Sequence, residues 1–233
     1  MNPEDPMFDG TKNLLDSIRV ACHDVKGDIS TVVVCMNGEI HAASRAQRTH
    51  TNKASALASP GWGPVGYVDR DNVYFRCGAL ELDTGLNFPM LKKLTAKVPV
   101  VKAMCGDDGA LLEMVLEKEP DAIIVEGFGR GNLPAGMMPA IKKAVKKGIF
   151  VVISTRASSG RVLDSTVFQG SVAQCLECGC LLAGETTTSK ARLLLMYVLS
   201  QKEAIQLKKE DPERFFAYVQ ECLDPVLTNR LFG

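Results

Sequence analysis

The chain has 233 residues, 46% of them hydrophobic, which is enough for one large or two modest globular domains. Its 27 basic and 27 acidic residues cancel, with no long block of one sign, so nothing draws the chain generally to nucleic acid or anionic lipid. Met1 to Gly10 lacks the basic and apolar regions of a secretory signal, no apolar run reaches bilayer length, and the eight cysteines show no disulfide-framework spacing. A cytoplasmic compartment is expected, with a small molecule or another protein as partner and neither nucleic acid nor membrane.

Apolar residues at Leu14, Leu15, Ile18, Ala21 and Cys22 follow a helical period, with Asp9 or Thr11 available as N-cap. Thr31 to Met36 is a β-branched run ended by Asn37-Gly38, and Glu39 to Ala43 follows, which predicts a hairpin. Ser59 to Gly66 is too rich in Gly and Pro for a regular element, and Val68 to Phe75 predicts a second hairpin around Asp69-Arg70-Asp71-Asn72.

From Val98 the pattern changes to short buried strands alternating with helices, the mark of parallel βαβ units. Strands are predicted at Val98–Lys102, Ala122–Val125, Ile149–Ser154 and Cys180–Ala183, and helices at Gly109–Lys118, Ala135–Lys147, Gly170–Cys178 and Ser189–Leu199, the last capped from Thr186 to Thr188. Lys202 to Cys222 reads as a charged helical tail broken near Asp211-Pro212. The expected class is α/β: a first-domain segment over residues 1–88, then a small doubly wound parallel-sheet domain over 89–233 with its tail from about 202. Ligands of such sheets bind beyond the carboxyl ends of the strands, here residues 102–108, 126–133 and 154–164.

The loop Gly127-x-Gly129-x-Gly131 follows a strand and precedes a helix, so its backbone can approach a ligand and offer N–H groups to an anion. As a dinucleotide fingerprint it fails, because Asn132 stands where a third glycine is needed and no acidic residue follows in a ribose-reading position. A purely structural turn remains open. Cys175-x-x-Cys178-x-Cys180 suggests half a metal site but lacks a partner pair, so buried thiols are expected and no metal. His23, His41 and His50 are isolated, and no cofactor is implied.

The run Ile123-Ile124-Val125-Glu126-Gly127-Phe128-Gly129-Arg130-Gly131-Asn132-Leu133-Pro134 resembles the signature of the L-asparaginase carboxy-terminal domain. Other segments resemble that family in the same order: Asp9-Gly10-x-x-Asn13-Leu14, Val34-x-Met36-Asn37-Gly38-Glu39-Ile40, Thr49-x-Thr51, Ser59-Pro60, Gly63-Pro64-x-Gly66-Tyr67, Ser154-Thr155-Arg156, and Ala183-Gly184-x-x-Thr187 leading into Lys190-Ala191-Arg192-Leu193. The resemblance covers residues 9 to about 200. It implies hydrolysis of a side-chain amide by a threonine nucleophile through an acyl-enzyme, with the oxyanion held by backbone donors.

The family's Thr-Gly-Gly-Thr-like nucleophile turn, and the second threonine, aspartate and lysine that follow it, have no counterpart here. Gly10-Thr11-Lys12 matches the helix start beyond those motifs. The resemblance also implies composite sites, closed by the carboxy-terminal domain of a neighbouring subunit. Asn132 matches a residue of that closing kind, although an asparagine in a glycine loop also commonly occupies a left-handed turn. Arg130 and Arg156 are candidates for holding a carboxylate, or for an interface. Where many members place an ammonium-binding glutamate, the loop Gly160–Gly170 offers only Asp164.

The resulting expectation is an asparaginase-type amidohydrolase represented by its later, truncated part and inactive alone. Its expected partners are a small amino-acid substrate or effector, copies of itself, or a complementing amino-terminal chain. The alternatives are a non-catalytic amino-acid-binding or regulatory homologue and a subunit of a tRNA-dependent amidotransferase.

Overall fold

The structure is a computed structural model describing residues 8–23, 32–76, 89–163 and 167–224. The chain divides into two compact units, Met1–Gly85 and Leu86–Gly233.

In the first unit, α1 (Gly10–Cys22) packs against strands β1 (Val33–Met36) and β6 (Asn72–Phe75). Asp9 occupies the N-cap position without a side-chain cap bond, accepting instead from the Asn13 amide at 3.0 Å, and Thr11 lies inside the helix. With β2 (Glu39–Ala42) and β5 (Gly66–Asp69) these strands form an antiparallel sheet of order β1-β2-β5-β6. Both expected hairpins are present. The first turns through Asn37 and Gly38 at φ 53 and 77, the paired left-handed residues that a two-residue hairpin needs.

A further two-stranded pair, β3 (Gln47–Arg48) with β4 (Leu57–Ala58), was not expected, because strands of two residues carry no periodic signal. Val20, Ile40, Ala42, Val65 and Val73 make this unit's core, while Leu14, Leu15 and Ile18 of α1 stay 47–64% exposed.

The second unit is built on a parallel sheet of strands β7 (Val100–Lys102), β8 (Ala122–Gly127), β9 (Phe150–Thr155) and β10 (Leu181–Leu182), in the order β10-β9-β8-β7. The crossovers carry α2 (Ala110–Leu116), a 3-10 turn (Ala135–Met137) running into α3 (Met138–Lys146), and α4 (Val172–Glu177). Every step moves the same way across the sheet, so right-handed connections put all three helices on one face.

There Leu112, Leu116, Met138, Ile141, Val172 and Cys175 pack on Ile123, Val125, Val151 and Ile153. The alternate residues Ala122, Ile124 and Val152 point to the opposite face. That face is covered after β10 by α5 (Thr188–Val198), α6 (Lys202–Glu210) and α7 (Pro212–Leu223), through Ala191, Leu195, Ala204, Phe215 and Val219. The α/β class with helices on both faces is therefore observed. The tail breaks at Asp211, whose carboxylate accepts from Arg214 N at 3.0 Å to start α7.

Candidate functional site

The polar groups of the second unit gather at the carboxyl edge of its sheet. Parallel pairing of β7 with β8 sets Lys102 beside Glu126, and β8 with β9 sets Glu126 beside Ser154. Lys102 Nζ lies 3.0 Å from Glu126 Oε1, and Thr188, in the first turn of α5, donates to Glu126 Oε2 at 2.8 Å. Ser154 Oγ is 3.0 Å from Thr188 Oγ1.

An ionised carboxylate only accepts, so the Thr188 proton is committed to Glu126 and Ser154 must donate to Thr188. Burial pushes the Glu126 carboxyl up, but hydrogen bonds from Thr188 and Lys102, with the charges of Lys102 and Arg156, outweigh it and hold the group below the ordinary glutamate range.

Arg156 follows β9 directly. Its guanidinium lies 4.1 Å over the Phe128 ring and donates through Nη2 to Ala103 O at 2.9 Å. Arg130 is exposed at the tip of the glycine loop. That loop is closed by Phe128 N to Asn132 O at 2.8 Å and Gly131 N to Phe128 O at 2.8 Å. Gly131, at φ 110, would be strained by any side chain, and a Cβ there would sit 2.9 Å from Val162 Cγ1.

Asn132 is not in a left-handed turn: among the described residues only Asn37, Arg70 and Glu119 are non-glycines at positive φ. Its Oδ1 accepts from Val172 N at 3.3 Å, tying the loop to the start of α4. Asp164 lies outside the described residues. Of the sequence candidates, Arg156 thus stands in the charged cluster, Arg130 and Asn132 in the adjoining loop.

The threonines expected to cap α5 do not cap it by side chain: Thr187 holds the N-cap position without such a bond. Thr186 donates to Leu223 O at 3.0 Å, and Thr188 serves Glu126. Lys102, Glu126 and Ser154 open the three strand-end ranges expected to border a ligand but were not singled out as candidates, and Thr188 was not expected in the cluster. The available signal for Lys102, Glu126 and Ser154 was their position, each polar and at the carboxyl end of a strand, whereas Thr188, in the first turn of α5, carried none. Cavities of about 270 and 410 Å³, sharing Asp121 and Lys208, are lined by residues at the opposite, amino-terminal edge of the sheet, away from this cluster.

Residues 97–210 match the Glutaminase/Asparaginase C-terminal domain and residues 1–79 the N-terminal Asparaginase domain. The chain belongs to the asparaginase family. It is 30% identical over 208 residues to an L-asparaginase of Bacillus licheniformis, a match covering 88% of this chain and 63% of the relative. It is 27% identical over 209 residues to a Glutamyl-tRNA(Gln) amidotransferase subunit of Methanosarcina mazei, covering 86% of this chain and 48% of that one.

Among solved structures, a probable cytoplasmic L-asparaginase from Campylobacter jejuni superposes with a TM-score of 0.75 at 26% identity, covering 91% of this chain and 61% of the other. The chain thus spans between about half and two thirds of the length of these asparaginase-family relatives. Among the described residues no helix is long and apolar enough to cross a membrane.

Proposed function

We propose that this chain is the later part of a cytoplasmic L-asparaginase-type amidohydrolase, which converts L-asparagine to L-aspartate and ammonia. In this reading residues 1–88 belong to the amino-terminal domain, and the domain from residue 89 closes a substrate site across a homo-oligomer interface. Arg130, Asn132, Arg156 and Asp164 would face the substrate, and the threonine nucleophile would come from outside the 233 residues.

One observation carries the reading. Two asparaginase domains match in order, and the second places its glycine loop and a group of hydroxyls and cations at one sheet edge. Such an edge can orient a small zwitterion through its cations and hydroxyls.

Ammonia release from L-asparagine and L-glutamine by the purified chain, with and without an added amino-terminal asparaginase fragment, tests this. Release only with the fragment is expected, and turnover by the chain alone overturns the account. Aspartate binding without turnover under either condition favours an amino-acid-binding regulator. The amidotransferase relatives suggest a tRNA-linked role, but a formal net charge of zero gives it no electrostatic support.

A further inference from the structure

Two cations at the carboxyl edge are held in an unusual way for exposed side chains. Lys102 is 53% exposed on its side chain, yet its ammonium is fixed at 3.0 Å on Glu126, which is itself only 15% exposed. Glu126 is in turn held from behind by the chain running from Ser154 through Thr188, with steps of 3.0 and 2.8 Å. Arg156 is seated by the Phe128 ring on one side and by Ala103 O, next in sequence to Lys102, on the other.

A free surface lysine or arginine loses much side-chain entropy when it grips a ligand, whereas these two are already ordered. Each also keeps donor capacity: a lysine ammonium has three N–H groups and a guanidinium five. Lys102 Nζ is 3.0 Å from Glu126 Oε1 and Arg156 is bonded to the carbonyl of Ala103, the residue after Lys102, so the two cations and one carboxylate share one stretch of the edge and carry one positive charge in excess.

We infer that Lys102 and Arg156 form a preorganised receptor for the carboxylate of a small amino acid, with Glu126, Thr188 and Ser154 as positioning residues behind it. A monoanion neutralises the excess charge, and a carboxylate's two oxygens can engage both cations at once. An ordinary structural ion pair would need neither the stacked arginine nor the directed hydroxyl chain. The inference deepens the amidohydrolase reading and rests on it for the class of ligand, but its chemistry needs only the carboxylate.

Titration calorimetry on the full chain tests it with four probes: L-aspartate, L-asparagine, L-asparaginamide, which lacks the α-carboxylate, and succinate, which lacks the ammonium. The free carboxylates should bind and L-asparaginamide much more weakly. Lys102→Met and Arg156→Met should each weaken L-aspartate binding roughly 10- to 100-fold, the worth of a hydrogen bond to a charged group.

Their thermal midpoints should stay within a few degrees of wild type, since the partly exposed Lys102 ion pair and the exposed Arg156 cation–π contact contribute little stability. Conservative Lys102→Arg should recover part of the affinity. Equal binding of L-asparagine and L-asparaginamide, or Lys102→Met binding within about twofold of wild type, overturns the receptor. So does the absence of all carboxylate binding at about 10 mM ligand. If carboxylates bind as expected but no fragment restores ammonia release, the catalytic reading fails and the receptor stands.

Discussion

Glu126 shows how one residue turns local geometry into a pH dependence. Its folded-state carboxyl is held below the ordinary glutamate value, so the charged form is favoured by folding. The stabilisation is fully present above the unfolded value of about 4.3 and is lost as pH falls through the lower, folded value. Replacing Glu126 by Gln should therefore lower the thermal midpoint most at neutral pH, with the gap to wild type closing on acidification below about pH 4. A constant gap from pH 7 to pH 3 would mean that Glu126 contributes packing alone.

Gly131 makes a purely steric counterpart. At φ 110, with Ile153 Cγ2 3.0 Å and Val162 Cγ1 2.9 Å from where a Cβ would stand, Gly131→Ala should cost about 2 to 4 kcal/mol by urea denaturation. The glycine was legible as a family marker, but the partnership of Lys102 with Glu126 was not. It depends on the β7–β8 register, and a period-two pattern within each strand says nothing about which residues meet across strands.

At the scale of elements, the long periodic segments were readable and the short or irregular ones were not. The βαβ succession, the Asn37-Gly38 hairpin and the break before Pro212 each rest on a local signal that tertiary packing did not override. The pairing of β3 with β4 joins strands of two residues, too short for a periodic signal, and the fate of the α5 threonines depends on partners distant in sequence, Leu223 and Glu126.

Gln220 belongs to the second kind. It is fully buried on α7 and takes the place of a missing neighbour strand beside β10. Its Nε2 donates to Leu182 O at 2.9 Å, and its Oε1 accepts from Leu182 N at 2.9 Å. One side-chain amide thereby satisfies both backbone groups of an edge residue that burial would otherwise leave unpaired. Gln220→Leu keeps the apolar contacts but orphans those groups, and should destabilise by about 2 to 4 kcal/mol. Gln220→Glu, which keeps the acceptor for Leu182 N but sets a second carboxylate oxygen against Leu182 O, should lose a similar amount while ionised and less once its carboxyl protonates and regains a donor. Equal losses at neutral and acidic pH would show that the amide is not bonded as described.

Across the whole molecule, the two units differ sharply in how much apolar surface they enclose. The first has a core of Val20, Ile40, Ala42, Val65 and Val73, and leaves Leu14, Leu15 and Ile18 of its only described helix open to solvent. The second encloses both faces of its sheet, with large buried side chains such as Leu112, Ile141, Leu195 and Phe215. Stability scales with apolar area removed from water, so the first unit should unfold at lower denaturant.

The sequence itself supplies separate reporters. Its single tryptophan, Trp62, sits in the first unit with Arg45 stacked 4.1 Å over its ring, while the second unit holds α2 to α7 and hence most of the helical signal. Urea titration should show tryptophan fluorescence changing before far-ultraviolet ellipticity. A complementing amino-terminal fragment that covers α1 should move the fluorescence midpoint upward and leave the ellipticity midpoint almost unchanged, because binding stabilises only what it contacts in the folded state. Coincident midpoints without the fragment would show that the units unfold as one cooperative body, and that the small first core draws its stability from the second.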